Sequence, residues 1–196
     1  MKKQDPYMPD YIFNSIMEIT PEFLKSIGVK GLLCDCDNTI AYDNRKELLP
    51  DSEKWVKLMQ DNGIKVCLMS NGFLVRIIPV IRKIKFDCWN TRSHKPYARG
   101  FKKCIKKLGL DKSEVAMLGD QMKTDMVGGN NYDIPTLYLM PYAFETNPFY
   151  KDIFRKRRAI ERKYFKLFNE QNGTKFDFPD VIKADMHKED LEECVY

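Results

Sequence analysis

The sequence lacks the features on which metal–thiolate sites, disulfide frameworks and membrane-spanning proteins depend. Its six cysteines form no Cys-x-x-Cys pair and only two histidines are present, so we do not expect a zinc site. Several cysteines lie in apolar stretches, which is typical of reduced core thiols in a cytoplasmic protein. No run of about eighteen apolar residues occurs, and no apolar segment follows the charged N-terminus. We therefore expect neither a spanning helix nor a secretory signal.

The composition that is present is that of a folded domain. Hydrophobic residues make up 43% of the 196 residues, which is enough for a core, and the length predicts one domain with an appended segment. The formal net charge of +5 is mild, so its distribution along the chain is more informative than its size.

The most informative stretch covers residues 32–40, where an apolar run ends in Asp35 and Asp37 and is followed by the turn-forming pair Asn38-Thr39. Open α/β sheets place ligands at the carboxyl ends of their strands. Two carboxylates this close repel each other unless a cation or a shared proton lies between them. Mg²⁺ fits, because it prefers oxygen ligands and binds through few carboxylates plus phosphate. The alternative is a pair of solvated aspartates in a turn.

Apolar strands alternate with amphipathic helices between residues 29 and 140. We predict strands at 29–35, 64–69, 86–90, 114–118 and 134–140, and helices at 20–28, 50–62, 73–84, 97–110 and from 124 to a break at Gly128-Gly129. Residues 1–19 are predicted to be an irregular lead-in that packs on the domain. The alternation predicts an α/β fold, a doubly wound parallel sheet with helices on both faces.

Polar residues suited to phosphate chemistry follow four of the predicted strands. They are Asp35 and Asp37, then Ser70, then Lys95, then Asp120 and Asp125. Because the carboxyl ends of parallel strands meet at one edge of a doubly wound sheet, we expect these side chains to converge.

These motifs, taken in order, resemble those of the haloacid dehalogenase-like (HAD) hydrolases, and more closely the class IIIA phosphatases of the YqeG type. The matching runs are Asp35-x-Asp37-x-Thr39, Ser70-Asn71, Lys95-Pro96, and Gly119-Asp120-Gln121 with Thr124-Asp125 and Gly128-Gly129-Asn130. The resemblance covers residues 10–165, and residues 169–196 fall outside it. Gly72 stands where many members of the family have Asn, which should alter the flexibility of the loop rather than its chemistry.

The resemblance implies a phosphomonoesterase with a HAD-like, Rossmann-type domain and Mg²⁺ as cofactor. Its implied residues are Asp35, Asp37, Ser70 and Lys95 for catalysis, Thr39, Asn71 and Gly72 for substrate binding, and Asp35, Asp37, Asp120 and Asp125 for the metal. Asp35 would be the nucleophile and Asp37 the general acid, then the base for the hydrolytic water. The metal would be held by Asp35, the backbone carbonyl of Asp37 and Asp120, with Asp125 assisting. Ser70 would hydrogen-bond the phosphoryl group, and Lys95 would neutralise its charge.

The spacing of the motifs leaves no room for a cap domain, which in this family would enter after the first or second motif. We therefore expect an open site that accepts phosphate on a bulky group, such as a lipid head group, a protein or a nucleic-acid end. The resemblance makes phosphatidylglycerophosphate a candidate substrate. The rival interpretation is a ribosome- or RNA-associated binding protein with a vestigial site.

The remaining segments differ in charge. We divide the chain into a capless phosphatase domain at residues 1–148, a basic amphipathic helix at 149–168 and an acidic tail at 169–196, which is either disordered or folded back on the basic helix. Three interpretations of the helix are open: it packs on the domain with a solvated basic face, it lies on anionic lipid, or it contacts nucleic acid or the ribosome. The second would place a cytoplasmic protein peripherally at the inner membrane surface.

Overall fold

The computed structural model describes residues 5–43, 45–142 and 151–176, without the side chains of residues 151–158. The strands are β1 Tyr11–Phe13, β2 Gly31–Cys34, β3 Lys65–Met69, β4 Cys88–Asn90, β5 Val115–Gly119 and β6 Thr136–Leu139. The helices are α1 Pro21–Ser26, α2 Ser52–Asp61, α3 Leu74–Lys83, α4 Ala98–Leu108, α5 Val127–Tyr132 and α6 Lys151–Asn172. The strands form one sheet in the order β1-β6-β5-β2-β3-β4, and every pairing is parallel. The predicted doubly wound α/β fold is confirmed.

Both faces of the sheet are buried because successive residues of a strand point to opposite faces. On β2, Leu32 packs into a core that includes Trp55 of α2. Its neighbour Leu33 packs into a second core that includes Phe101 and Cys104 of α4. The cysteines of the described residues are free, and all of them except the half-buried Cys88 are buried, as expected of reduced core thiols.

The termini of the helices follow local sequence signals. Thr20 caps α1, since its hydroxyl accepts a hydrogen bond from the Phe23 backbone N–H at 3.2 Å, and Pro21 occupies the first helical position. Helix α4 ends at Gly109, whose φ of 64° most side chains avoid. Because every pairing is parallel, the carboxyl ends of the strands, and the loops after them, lie at one edge of the sheet.

Two local predictions are wrong. The lead-in at residues 1–19 is not irregular throughout: residues 11–13 form β1, which pairs with β6, and a single 3₁₀ turn covers Ile16–Glu18. The helix after Asp125 does not break at Gly128-Gly129, because α5 runs through both glycines. A Cβ at Gly128 would lie 2.6 Å from Phe101 Cζ, and one at Gly129 would lie 2.5 Å from Thr136 Cγ2. These glycines serve close packing rather than helix termination.

The described part of α6 packs against the domain. Tyr164, Phe165 and Phe168 are buried in a cluster that includes Ile12 of β1 and Tyr138 of β6. The helix ends at Asn172 rather than at residue 168. Residues 143–150 and 177–196, which include most of the acidic tail, lie outside the described residues. Among the described helices, none has the length and apolar character needed to cross a bilayer.

Candidate active site

A buried cation between two buried carboxylates forms the centre of the site. Lys95 Nζ lies 2.5 Å from Asp35 Oδ1 and 2.7 Å from Asp125 Oδ1. The three side chains are almost completely inaccessible to solvent. A lysine in such a position is stable only because both anions compensate for its lost hydration.

The fold delivers these three side chains from different parts of the chain. Asp35 is the first residue after β2, at the centre of the sheet. Asp125 lies in a single π-helical turn, Met122–Met126, which follows the neighbouring strand β5. Its Oδ2 accepts a hydrogen bond from the Gln121 backbone N–H at 3.1 Å. The carboxylate fits there because Gly119 has no side chain: a Cβ at that position would lie 2.3 Å from Asp125 Oδ2.

Burial and the charge of the paired group shift the pKa values of Lys95 and Asp125 in opposite directions. Burial alone would lower the pKa of Lys95, but the adjacent Asp125 and Asp35 carboxylates raise it above its usual value. Burial raises the pKa of Asp125 to about 7, Lys95 opposes that shift and Asp35 adds to it. The site therefore carries more acidic groups than its one buried lysine neutralises, which favours a further cation.

A third carboxylate completes the acidic side of the site. Asp35, Asp120 and Asp125 each offer a carboxylate oxygen, and these oxygens all lie within 4.8 Å of one another. All three residues are buried, Asp120 and Asp125 completely. Three convergent oxygen donors fit a hard divalent cation such as Mg²⁺. The Asp37 carboxylate is not part of this group.

The loop that carries Lys95 is fixed by amide and hydroxyl groups. Lys95 N donates to Asn71 Oδ1 at 2.7 Å, and Asn71 Nδ2 donates to Lys95 O at 3.1 Å. Behind this pair, the buried Asn90 and Ser93 side chains are joined by a hydrogen bond of 2.8 Å. We expect Asn71 at the substrate site, but its side-chain amide forms hydrogen bonds with the backbone of Lys95.

Ser70 lies directly after β3 and is buried. Its hydroxyl oxygen accepts a hydrogen bond from the Gly72 backbone N–H at 3.0 Å. Accepting that bond leaves the hydroxyl proton able to be donated elsewhere. A Cβ at Gly72 would lie 3.2 Å from Ser70 Oγ, so a side chain there would crowd the hydroxyl.

Asp37 is held by an arginine that the sequence analysis did not single out. Arg76 of α3 forms an ion pair with Asp37, and its Nη2 lies 4.0 Å from Asp43 Oδ1. These three side chains are half-buried, whereas that of Asp35 is buried. An arginine inside an apolar helix carries no motif, and the only available signal was its position four residues after Asn71-Gly72.

Thr39 lies on the same loop but outside the carboxylate cluster. It is buried, and its hydroxyl has no hydrogen-bond partner. With Asn38 and Ser52 it lines a cavity of about 170 Å³. The cavity is also bordered by Ser15 and Tyr142, so it lies on the side of the site towards β1 and β6.

Comparisons with known proteins agree with this geometry. The model of a hydrolase family, the haloacid dehalogenase-like hydrolases, matches residues 10–133. The chain is 32% identical over 165 residues to the probable phosphatase YqeG of Bacillus subtilis, and the match covers 80% of this chain and 88% of that protein. The crystal structure of an uncharacterized protein from Listeria monocytogenes serotype 4b is similar with a TM-score of 0.50 and 19% identity, covering 61% of this chain and 85% of that one. The last likeness shows the fold alone.

Proposed function

This chain belongs to the haloacid dehalogenase-like hydrolases, and from that premise we propose that it is a Mg²⁺-dependent phosphatase that works through a phosphorylated Asp35. The observation that supports the proposal most directly is the buried contact of Lys95 with Asp35 and Asp125. Such a contact is costly to build. The contact would position the Asp35 carboxylate for attack and would place the Lys95 ammonium where it can neutralise the phosphoryl group.

The proposed reaction has two steps. Asp35 attacks phosphorus, so that a P–O bond forms to its carboxylate as the bond to the leaving oxygen breaks, and Asp37 gives its proton to that oxygen. Asp37 then takes a proton from water, whose oxygen attacks the phosphorus and releases inorganic phosphate and free Asp35. Arg76, which forms an ion pair with Asp37, would keep the carboxyl group aimed at the leaving oxygen, and its charge favours the ionised form of Asp37 that acts as the base in the second step.

Lys95 and Ser70 would hold the phosphoryl group. The ammonium of Lys95 would reduce the repulsion between the phosphate and Asp35, and the Ser70 hydroxyl would donate to a phosphoryl oxygen. Asp35, Asp120 and Asp125 would hold Mg²⁺, with the backbone carbonyl of Asp37 as a further ligand. When bound, the ion would neutralise the negative charge that develops as one anion approaches another.

The substrate we propose is a phosphomonoester on a bulky group, with phosphatidylglycerophosphate as the candidate. Within the described residues, the chain between the first two motifs forms only a loop, α2 and β3, and the chain between the next two forms only α3 and β4. No cap domain is inserted there, so large substrates would have access. A phosphomutase that acts on a small sugar would instead need a closed site to exclude water.

The test is phosphate release from p-nitrophenyl phosphate and from phosphatidylglycerophosphate, measured with Mg²⁺ and with a chelator. We expect turnover that needs the metal and that falls by at least about a thousandfold in Asp35→Asn. The matched control is Asp61→Asn, a change in an exposed carboxylate on α2. Wild-type protein without turnover on either substrate would contradict the proposal and favour the rival, a ribosome- or RNA-associated protein with a vestigial site.

A further inference from the structure

Apolar side chains are exposed at the rim of the site. Phe73, Leu74 and Val75, at the start of α3, are 61%, 41% and 78% exposed, and Tyr97, before α4, is 71% exposed. Most of the other large apolar side chains of the described residues are buried. Exposed apolar groups that cluster in this way mark an interaction surface more often than isolated ones do.

The rim lies next to the groups that would bind phosphate. Phe73 follows the Ser70–Gly72 turn, and Tyr97 lies two residues after Lys95. The two loops are joined by the hydrogen bonds between Asn71 and Lys95. A partner bound to the rim would therefore cover the opening through which substrate reaches Asp35.

The rim is also cationic. The Arg92 guanidinium lies over the Phe73 ring, 4.6 Å from its centroid, and the backbone N–H of Arg92 donates to the backbone carbonyl of Gly72 at 3.0 Å. Arg99 is exposed on the first turn of α4. The other cations nearby are not free for a partner, since Lys95 is buried and Arg76 forms an ion pair with Asp37. Arg92 and Arg99 therefore give the rim its exposed positive charge.

Apolar side chains with arginines beside them match a lipid bilayer with anionic head groups. Apolar side chains enter the boundary between head groups and acyl chains, and the cations remain at the level of the phosphates. Single-stranded nucleic acid instead requires aromatic rings on which bases stack. Phe73 and Tyr97 offer such rings, but Leu74 and Val75 do not, and Val75 is the most exposed side chain of the four.

The C-terminal helix is less suited to this contact. The apolar side chains of its described part, such as Phe165 and Phe168, are buried in the domain and are not available to lipid. The side chains exposed there are basic ones such as Lys163 and Lys166, together with polar and acidic ones such as Gln171 and Glu170. Charge without apolar insertion gives weaker, salt-sensitive binding.

We propose that the rim formed by Phe73, Leu74, Val75, Tyr97 and Arg92 docks the protein on an anionic lipid bilayer, with the active site facing the membrane. This inference rests on the proposed function, since a docked site would act on a phosphomonoester in the head-group layer. It assigns lipid contact to the active-site edge and not to α6.

The test is sedimentation of the full chain with phosphatidylcholine vesicles containing about 30 mol% phosphatidylglycerol, and with pure phosphatidylcholine vesicles. We expect the wild type to bind the anionic vesicles. Phe73→Ser with Val75→Ser should reduce the bound fraction about tenfold, and Arg92→Gln should reduce it severalfold. The matched controls are Leu58→Ser, at an exposed site on α2, and Lys163→Gln with Lys166→Gln on α6. Both controls should bind like the wild type.

Turnover of p-nitrophenyl phosphate separates this proposal from the proposed function. The rim variants should retain wild-type turnover of this soluble substrate, since none of the substituted residues contacts Asp35. Wild-type protein that turns over this substrate but does not bind anionic vesicles would overturn the docking proposal alone. So would full binding by the rim variants, loss of binding only in the α6 variant, or binding to single-stranded RNA without binding to vesicles.

Discussion

Asn71 holds the backbone of Lys95 at both ends of its amide: its Oδ1 accepts from Lys95 N at 2.7 Å, and its Nδ2 donates to Lys95 O at 3.1 Å. This exchange joins the loop after β3 to the loop after β4. The Lys95 ammonium, which contacts Asp35 at 2.5 Å, therefore depends on a residue that does not touch it. Asn71 is a positioning residue in this arrangement.

Replacement of Asn71 by Ala should lower kcat about 10- to 100-fold with a smaller change in KM, because small displacements of a catalytic group are costly. Steady-state kinetics on p-nitrophenyl phosphate would measure the effect. Asn71→Asp keeps the acceptor for Lys95 N and should recover part of kcat. Equal losses in kcat for Ala and Asp would show that acceptance of this hydrogen bond does not position Lys95.

Replacement of Gly119 by Ala should weaken metal binding. The added Cβ would lie 2.3 Å from Asp125 Oδ2, so the carboxylate would have to move away from Asp35 and Asp120. We expect the Mg²⁺ concentration for half-maximal activity to rise about tenfold or more, since ligand sites tolerate little displacement. A smaller rise in melting temperature on adding Mg²⁺ is the second measurement.

Gly63→Ala is the matched control for that change. Gly63 has a φ of 79° and open space around its Cα, so Ala there should cost about 1 kcal/mol of stability through backbone strain alone. Its Mg²⁺ requirement should equal that of the wild type. If both variants raise the Mg²⁺ requirement alike, reduced stability rather than a displaced carboxylate explains the effect.

Replacement of Arg76 by Gln should lower kcat by a factor that depends on the leaving group of the substrate. Arg76 fixes Asp37, the proposed acid, and a leaving alcohol needs protonation more than p-nitrophenolate does. We expect kcat on an alkyl phosphate to fall about tenfold further than kcat on p-nitrophenyl phosphate. Arg76→Lys keeps the charge and should be intermediate. Identical losses on both substrates would assign Arg76 to phosphate binding and not to Asp37.

Stability at high pH should depend on Tyr164. Burial, followed by the 2.8 Å hydrogen bond that its hydroxyl donates to Asp5 Oδ2, raises the pKa of Tyr164 to about 12. Because this folded pKa lies above the unfolded value of about 10, the stabilisation is complete below pH 10 and is lost as the pH rises through 12. After allowance for solvent screening the difference is about 1 kcal/mol.

Urea unfolding of the wild type and of Tyr164→Phe between pH 8 and pH 12 would measure this contribution. The difference in unfolding free energy between the two should shrink as the pH rises. Tyr97→Phe, at an exposed site, is the matched control and should show no such trend. A difference that stays constant up to pH 12 would contradict the prediction.

The strand ends are predictable from the sequence because two signals agree: strands alternate with helices, and polar residues follow the apolar strands. Asp35, Ser70 and Asp120 each follow an apolar run, Lys95 lies on the loop after another strand, and a parallel sheet places such positions at one edge. That logic needs only the order of elements. It therefore anticipates that Asp35, Lys95 and Asp125 meet, although it does not give their contacts.

Features that depend on tertiary packing were beyond the sequence. Gly128-Gly129 was interpreted as a break, although the pair lies inside α5 to admit Phe101 and Thr136. Strand β1 has three residues, too few for a periodic pattern. Arg76 looks like a solvated helix residue until α3 is placed beside the loop of Asp37. In each case the decisive neighbour is remote in sequence.

The pairing of β1 with β6 limits the order in which this protein can fold during its synthesis. Tyr11 is paired with Leu137 in the sheet although the two are 126 residues apart in the chain, and among the described strands β1 pairs with β6 alone. Strand β1 must therefore remain unpaired until β6 has been synthesised. Sequestration of the Tyr11–Phe13 segment by a chaperone during that interval would slow maturation without altering the finished enzyme.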